Sequence, residues 1–131
     1  MPLLIGAAPV ATLTVEIAGL RSEKGMLRFC VASQPEQFPD CRKGGTTITR
    51  TVPAATRTIR FDAMAPGTYA VAVIHDENGN SRLDTFVGIP REGFGFSRNP
   101  GIGFGPPRFS RAGFAVEAGE VHQRVTIRYL L

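Results

Sequence analysis

Short segments in which apolar and polar residues alternate are the feature that most restricts the fold of this chain. In the first two such segments the apolar positions are Leu13, Val15, Ile17, Leu27, Phe29 and Val31. A period of two is typical of a β-strand with one face on a hydrophobic core. The sequence contains no long stretch in which apolar residues follow the helical period. We therefore expect an all-β protein.

Further β-type segments follow along the chain. They comprise residues 46–52, 56–61, 69–74, 114–116 and 121–129. Pro53 separates the first two of these, which predicts either a hairpin or two edge strands. The segment from Tyr69 to Ile74 is apolar on both faces and is the best candidate for a central strand. About seven short strands predict a two-sheet antiparallel β-sandwich, with a small barrel as the alternative.

Length and composition agree with one small β domain. The chain has 131 residues, enough for one domain, and its 15 Gly and 10 Pro suit many turns. We expect residues 12–131 to form this domain. Residues 1–11 resemble the end of a secretory signal peptide, or alternatively an apolar leader into the first strand. No apolar run reaches the roughly 18 residues of a membrane-spanning helix, so a spanning segment is not expected.

The chain is mildly basic, with a formal net charge of +4. Thirteen of its 15 basic residues are Arg, whose planar fork of donors suits carboxylate, phosphate or sulfate. These residues are scattered and form no basic block. This pattern favours a solvated surface over a nucleic-acid interface, and no nucleic-acid partner is expected.

The two cysteines, Cys30 and Cys41, are eleven positions apart. This spacing does not match the paired short intervals of a zinc knuckle. In an oxidising compartment a disulfide here would close a short loop and stabilise the fold by about 2 to 3 kcal/mol. In the cytosol both residues would be free thiols. The alternation places Cys30 on the face of its strand opposite the core, where we expect a bridge at the surface.

Residues 77–110 interrupt the regular strand spacing with a long segment that is rich in Gly, Phe and Arg. Long ordered loops are frequently functional. The residues that we predict to contact a ligand are Phe94, Phe96, Arg98, Phe104 and Arg108. Such a surface suits an unknown protein, glycan or lipid ligand. Alternatively, the Phe side chains pack the segment onto the open end of the sandwich.

The start of this segment spaces oxygen-bearing residues as calcium loops do. The predicted ligands are the side chains of Asp76, Asn78, Asn80 and Asp84 and the carbonyl oxygen of Arg82. The loop lacks the usual Gly at Ser81 and the bidentate acid at Val87, so calcium, the expected cofactor, would bind weakly. The alternative is a series of Asx-turns to local backbone amides.

These residues carry a resemblance to a known family. Residues 66–80, 83–84 and 88–97, with Gly105-Pro106-Pro107, resemble the bacterial family known as domain of unknown function 2141. The resemblance covers residues 12–131. It implies an exported, periplasmic or secreted protein with a transthyretin-like or Cna-B-like sandwich, and it brings no known activity.

An enzymatic role has little support in the sequence. His75 and His122 are the two histidines, and no nucleophile elbow, phosphate loop or zinc-protease motif occurs. The alternative function is a metal-assisted enzyme that uses His75 with Asp76 and Asp84. A histidine that ends a strand more commonly bonds a loop carbonyl. We therefore expect a non-catalytic accessory or binding module.

Overall fold

The computed structural model describes residues 9–41, 47–79, 85–86, 89–90, 92–101 and 105–130. The strands in this part are β1 (Ala11–Ala18), β2 (Met26–Ala32), β3 (Ile48–Pro53), β4 (Thr58–Met64), β5 (Gly67–Asp76), β6 (Thr85–Phe86), β7 (Ile89–Pro90), β8 (Gly93–Phe96), β9 (Phe114–Val116) and β10 (Gly119–Thr126). One short helix, α1 (Phe109–Ala112), and two 3-10 turns, Pro35–Gln37 and Ala54–Thr56, complete these elements. Within the described ranges, no helix is long and apolar enough to cross a membrane.

The strands form two main sheets, which confirms the predicted all-β sandwich. One sheet has the order β10-β1-β4, and the other has the order β3-β2-β5-β8, with β9 added to the start of β5. β6 and β7 pair with each other. All pairs are antiparallel except β1 with β10, which is parallel, so the expected purely antiparallel arrangement is wrong in this one pair. β3 and β4 lie at the outer ends of different sheets and are the predicted edge strands, not a hairpin.

The main core lies between the sheets and is built from the alternating apolar positions. Its fully buried members include Leu13, Val15, Leu27, Val31, Val71, Val73 and Val125. Phe29 of β2 and Phe61 of β4 meet across the two sheets, edge to face, with ring centroids 5.9 Å apart. β5 pairs with β2 on one side and with β8 and β9 on the other, which confirms the predicted central strand.

The two sheets are also joined along one side. The backbone N–H of Phe94 in β8 donates to the carbonyl of Arg128 at 3.0 Å, and the N–H of Arg128 donates back at 2.8 Å. The Asn99 side chain extends this seam by donating to the Arg124 carbonyl at 2.9 Å and accepting from the Thr126 N–H at 2.8 Å. The sandwich therefore has barrel character on this side.

β8 corrects the expectation that residues 77–110 form a loop without strands. Its two glycines, Gly93 and Gly95, face the inner layer, where the other sheet approaches closely. A Cβ on Gly95 would lie 2.7 Å from the Val125 side chain and 2.7 Å from the Thr126 carbonyl. Glycine is required because the two sheets meet there, while Phe94 and Phe96, which alternate with the glycines, face outward.

We predict that Gly95→Ala lowers the free energy of unfolding by about 1 to 3 kcal/mol, since overpacking a tight contact costs about this much. Gly101→Ala is the control, because a Cβ there meets nothing within 4 Å. That variant should stay within about 0.5 kcal/mol of wild type. Urea unfolding of the three proteins measures the difference. Equal stability of the two variants would contradict the close approach of the sheets at β8.

Candidate functional site

A second hydrophobic cluster covers the outer face of the larger sheet. The sheet contributes mostly small residues to it, and a loop and α1 contribute the rest. Its buried members are Cys30, Ala32, Cys41, Ala70, Ala72, Phe96 and Ala112, with Phe38, Phe94 and Phe109 packed against them. Because alanine side chains leave the sheet surface flat, the aromatic rings can lie directly on it. We call this set the outer cluster.

The predicted disulfide is present within the outer cluster. Cys30 and Cys41 are bonded, with their Cα atoms 5.7 Å apart. Cys30 faces away from the main core, as predicted. The bridge is nevertheless buried, with exposures of 6% and 9% for its two residues, and the expected surface position is wrong. The outer cluster covers the bridge because its aromatic rings occupy this face of the sheet.

Ser97 anchors α1 to the sheet. The Ser97 N–H donates to the Val71 carbonyl at 2.9 Å, and the Ser97 hydroxyl accepts from the Val71 N–H at 2.9 Å. The same hydroxyl donates to the carbonyl of Ala112 at 2.6 Å. Ser97 is fully buried, so these bonds are shielded from water. No sequence signal indicates this role, since a serine after a strand is ordinary.

An open groove lies where α1 meets the loop closed by the disulfide. Its volume is about 400 Å³. It is lined by Pro35, Phe38, Pro39, Pro106, Pro107, Arg108, Phe109 and Ser110. Phe38 makes edge-to-face contacts with Phe96 and Phe109, with ring centroids 5.8 and 6.1 Å apart. We call this feature the proline groove.

The residues that we predicted to contact a ligand lie in different parts of the structure. Arg108 is exposed and lines the proline groove. Phe96 is 7% exposed and Phe94 is half-buried, and both belong to the outer cluster. The exposed Arg98 donates to the Gly113 carbonyl at 3.3 Å. Phe104 lies outside the described residues.

Sequence reasoning missed most of the proline groove. The missed lining residues are Pro35, Phe38, Pro39, Pro106, Pro107, Phe109 and Ser110. The available signal was the prolines within the Cys30–Cys41 loop and the Pro-Pro pair before α1. Neither signal alone indicates that the Cys30–Cys41 loop and the segment before α1 are in contact.

The predicted calcium loop is described only at its start. Asp76 is 1% exposed, and its Oδ2 atom lies 3.7 Å from Nε of Arg28. The Gly79 N–H donates to the Asp76 carbonyl at 3.2 Å, which forms a turn. Asn78 is exposed at this turn. The other three predicted ligands, Asn80, Arg82 and Asp84, lie outside the described residues.

His75 is fully buried at the end of β5, and both its ring nitrogens have partners. Nε2 lies 2.7 Å from the Lys24 carbonyl, and it is the donor because a carbonyl only accepts. This bond confirms the expectation of a strand-ending histidine bonded to a loop carbonyl. Nδ1 lies 2.7 Å from the hydroxyl of Tyr129. His75 faces the core and Asp76 the opposite side of the sheet, so the structure does not bring the two into one cluster.

An ion pair lies beside this histidine. Arg21 donates to Oε1 of Glu77 from Nε at 2.9 Å and from Nη2 at 2.5 Å, and its guanidinium lies 4.3 Å from the centroid of the Tyr129 ring. Ser22 donates to the other carboxylate oxygen at 2.8 Å. The hydrogen bond from Arg21 lowers the pKa of Glu77, and burial raises the pKa of Tyr129. The group ties the β1–β2 connection to the C-terminal segment.

We predict that Glu77→Gln lowers the free energy of unfolding by about 0.5 to 1 kcal/mol near neutral pH, as expected for a partly exposed pair. Because folding lowers the pKa of Glu77, this stabilisation is present above its ordinary value of 4.5 and is lost as the pH falls through the folded-state pKa. Urea unfolding from pH 7 to pH 3 should show the two proteins converging. Asp62→Asn, at an exposed pair, is the control. A pH-independent difference would contradict the Glu77 assignment.

Comparison with known proteins identifies a family for this chain. A family model described as an uncharacterized protein conserved in bacteria, domain of unknown function 2141, matches residues 15–124. Curated proteins and solved structures yield no significant match to the chain. The matched span contains the disulfide, α1 and every residue that lines the proline groove. The chain therefore belongs to the bacterial family called domain of unknown function 2141.

Proposed function

We propose that this protein is an exported binding module that holds a segment of a partner protein in the proline groove. The observation that carries this proposal is the construction of the groove. One wall, with Pro35, Phe38 and Pro39, lies entirely within the loop that the disulfide closes. The other wall is carried by α1, which Ser97 fixes to the sheet. Both walls are thus held in place before a ligand arrives.

A pre-assembled groove favours binding for an energetic reason. Ordering flexible side chains and loops upon association reduces affinity, and a rigid site avoids most of that loss. Pro35 and Pro106 are exposed and offer apolar surface to a ligand. Ligand sites are typically concave and mostly apolar with a few polar groups, which describes this groove.

The disulfide also supports export. Disulfides persist in oxidising compartments and are rare in the reducing cytosol. Here the bridge holds one wall of the groove, so binding would depend on oxidation. The resemblance of residues 1–11 to the end of a signal peptide points the same way. We therefore place the protein in the periplasm or outside the cell.

A protein segment fits the groove better than a glycan or a lipid. Arg108 and Ser110 are the polar side chains among the lining residues. A sugar carries many hydroxyl groups, and burial without hydrogen-bond partners is unfavourable for each of them. An acyl chain gains most from enclosure away from water, whereas this groove is open. Apolar side chains of a polypeptide match both the walls and the open shape.

We propose binding and not catalysis for a geometric reason. Both ring nitrogens of His75 are bonded, and His75 and Asp76 lie on opposite faces of β5. The proline groove contains neither histidine nor carboxylate among its lining residues.

Selection from a random peptide library displayed on phage tests the proposal. We expect clones that bind the oxidised protein and lose binding to Arg108→Glu and to the protein after reduction of its disulfide. Arg124→Glu is the matched control, since Arg124 is an exposed arginine of β10 in the other sheet and should leave binding unchanged. Melting curves confirm that each variant is folded.

Three results would contradict the proposal. Clones that bind Arg108→Glu as well as wild type would place the contact outside the groove. Equal binding before and after reduction would remove the role of the disulfide. Groove-dependent binding of a glycan array or of lipid vesicles, with no selected peptide, would replace a protein ligand with one of those classes.

We also propose a weak calcium site in the loop formed by residues 76–84. The spacing of oxygen-bearing side chains supports it, because Asp76, Asn78, Asn80 and Asp84 alternate as the ligands of calcium loops do. Asp76 is buried beside Arg28 at the end of β5, so the strand holds the first of these predicted ligands in place.

Calorimetric titration of metal-stripped protein with calcium, with parallel melting curves, tests this second proposal. Calcium at ten times its dissociation constant should stabilise the fold by about 1.4 kcal/mol. Asp84→Asn should lose this effect, and Glu117→Gln, an exposed carboxylate elsewhere, should keep it. Absence of binding heat at millimolar calcium, or equal stabilisation of Asp84→Asn by calcium, would contradict the calcium site and favour a series of turns.

A further inference from the structure

Resting on the proposed function, we propose that the proline groove recognises an extended, proline-containing peptide segment that carries an acidic side chain. The segment would bind in the polyproline II conformation, with its rings against the groove walls and its carboxylate on Arg108. Three features of the groove support this ligand: the chemistry of its walls, the use of its backbone donors and the charge at its rim.

The walls match proline rings. Pro35 and Pro39 come from the disulfide loop, Pro106 and Pro107 from the segment before α1, and the lining rings of Phe38 and Phe109 contact each other edge to face. Polyproline II segments dock into aromatic-lined grooves, and their stiffness reduces the entropy lost on binding. A ligand with flat apolar rings on an extended backbone is therefore complementary to this surface.

The backbone of the walls argues against strand addition, which is one common mode of peptide recognition. Strand addition requires a row of free N–H and C=O groups. The four prolines have no N–H. The Phe38 N–H already donates to the Pro35 carbonyl at 3.2 Å, and the Arg111 N–H donates to the Arg108 carbonyl at 3.0 Å. A polyproline II ligand does not need such a row, because its own backbone stays solvated.

The rim supplies a positive charge. Arg108 is exposed, and no carboxylate of the described ranges lies within ion-pair distance of it. Its guanidinium can hold a carboxylate through two parallel hydrogen bonds. Arg111 of α1 is also exposed and adds to the positive field on that side. Glu36, exposed in the turn of the opposite wall, repels an acidic group there, so the carboxylate belongs at Arg108.

Fluorescence anisotropy with a labelled peptide of repeating Pro-Pro-Glu tests the inference. Peptides of repeating Ala-Ala-Glu and Pro-Pro-Lys are the controls for conformation and charge. We expect the first peptide to bind the oxidised protein at least about tenfold more tightly than either control. Arg108→Ala should weaken binding of Pro-Pro-Glu about tenfold, and Arg124→Ala should leave it unchanged. Arg108 is exposed, so its variant should fold normally, and a melting curve checks this.

The outcomes separate this inference from the proposed function. Equal affinity for Pro-Pro-Glu and Ala-Ala-Glu would overturn the polyproline II ligand. Equal affinity for Pro-Pro-Glu and Pro-Pro-Lys, or no effect of Arg108→Ala, would overturn the acidic contact. Selected phage peptides that need the groove, together with no binding of Pro-Pro-Glu, would overturn this inference and leave the proposed function standing. Absence of any groove-dependent peptide would overturn both.

Discussion

The close approach of the two sheets at β8 is the constraint on which the rest of this structure depends. Gly93 and Gly95 have no side chain on the inner face, so the C-terminal segment can bond directly to β8 through Arg128. Every side chain that β8 offers for packing is therefore on the outer face. Phe94 and Phe96 start the outer cluster there, and that cluster supports the disulfide loop and α1. The groove thus exists because a strand has glycine on its inner face.

The larger sheet has two packed faces, although it belongs to a small sandwich. Its inner face contributes large branched residues to the main core, whereas its outer face has Ala32, Ala70 and Ala72. A flat outer face suits a thin cover of aromatic rings and not a third layer of secondary structure. The disulfide and the bonds of Ser97 then compensate for the small apolar area that so thin a cover buries.

The sequence predicted the parts of the fold that depend on local alternation. β1, β2 and the orientation of Cys30 follow from period-two patterns, and β5 follows from a short run that is apolar on both faces. The carbonyl partner of His75 follows from its place at the end of a strand. The sequence did not predict β8. Its large residues face away from the main core, and its pattern therefore resembles that of a flexible Gly-rich loop. The groove was not predicted for another reason. Its walls, near Phe38 and near Phe109, are distant in the chain and meet only through tertiary packing.

β5 runs between the cover that carries the groove and the ion pair at the other end of the strand. Near the middle of the strand, Val71 binds Ser97 and so holds α1 in place. At the end of the strand, His75 binds Tyr129, and the neighbouring Glu77 pairs with Arg21. Because side chains alternate along a strand, His75 stabilises the inner core while the groove lies over the outer face. Loss of the Glu77 ion pair at acidic pH therefore weakens the end of β5 far from the groove walls. A binding site that the disulfide fixes can in this way remain assembled while the opposite end of the domain loosens.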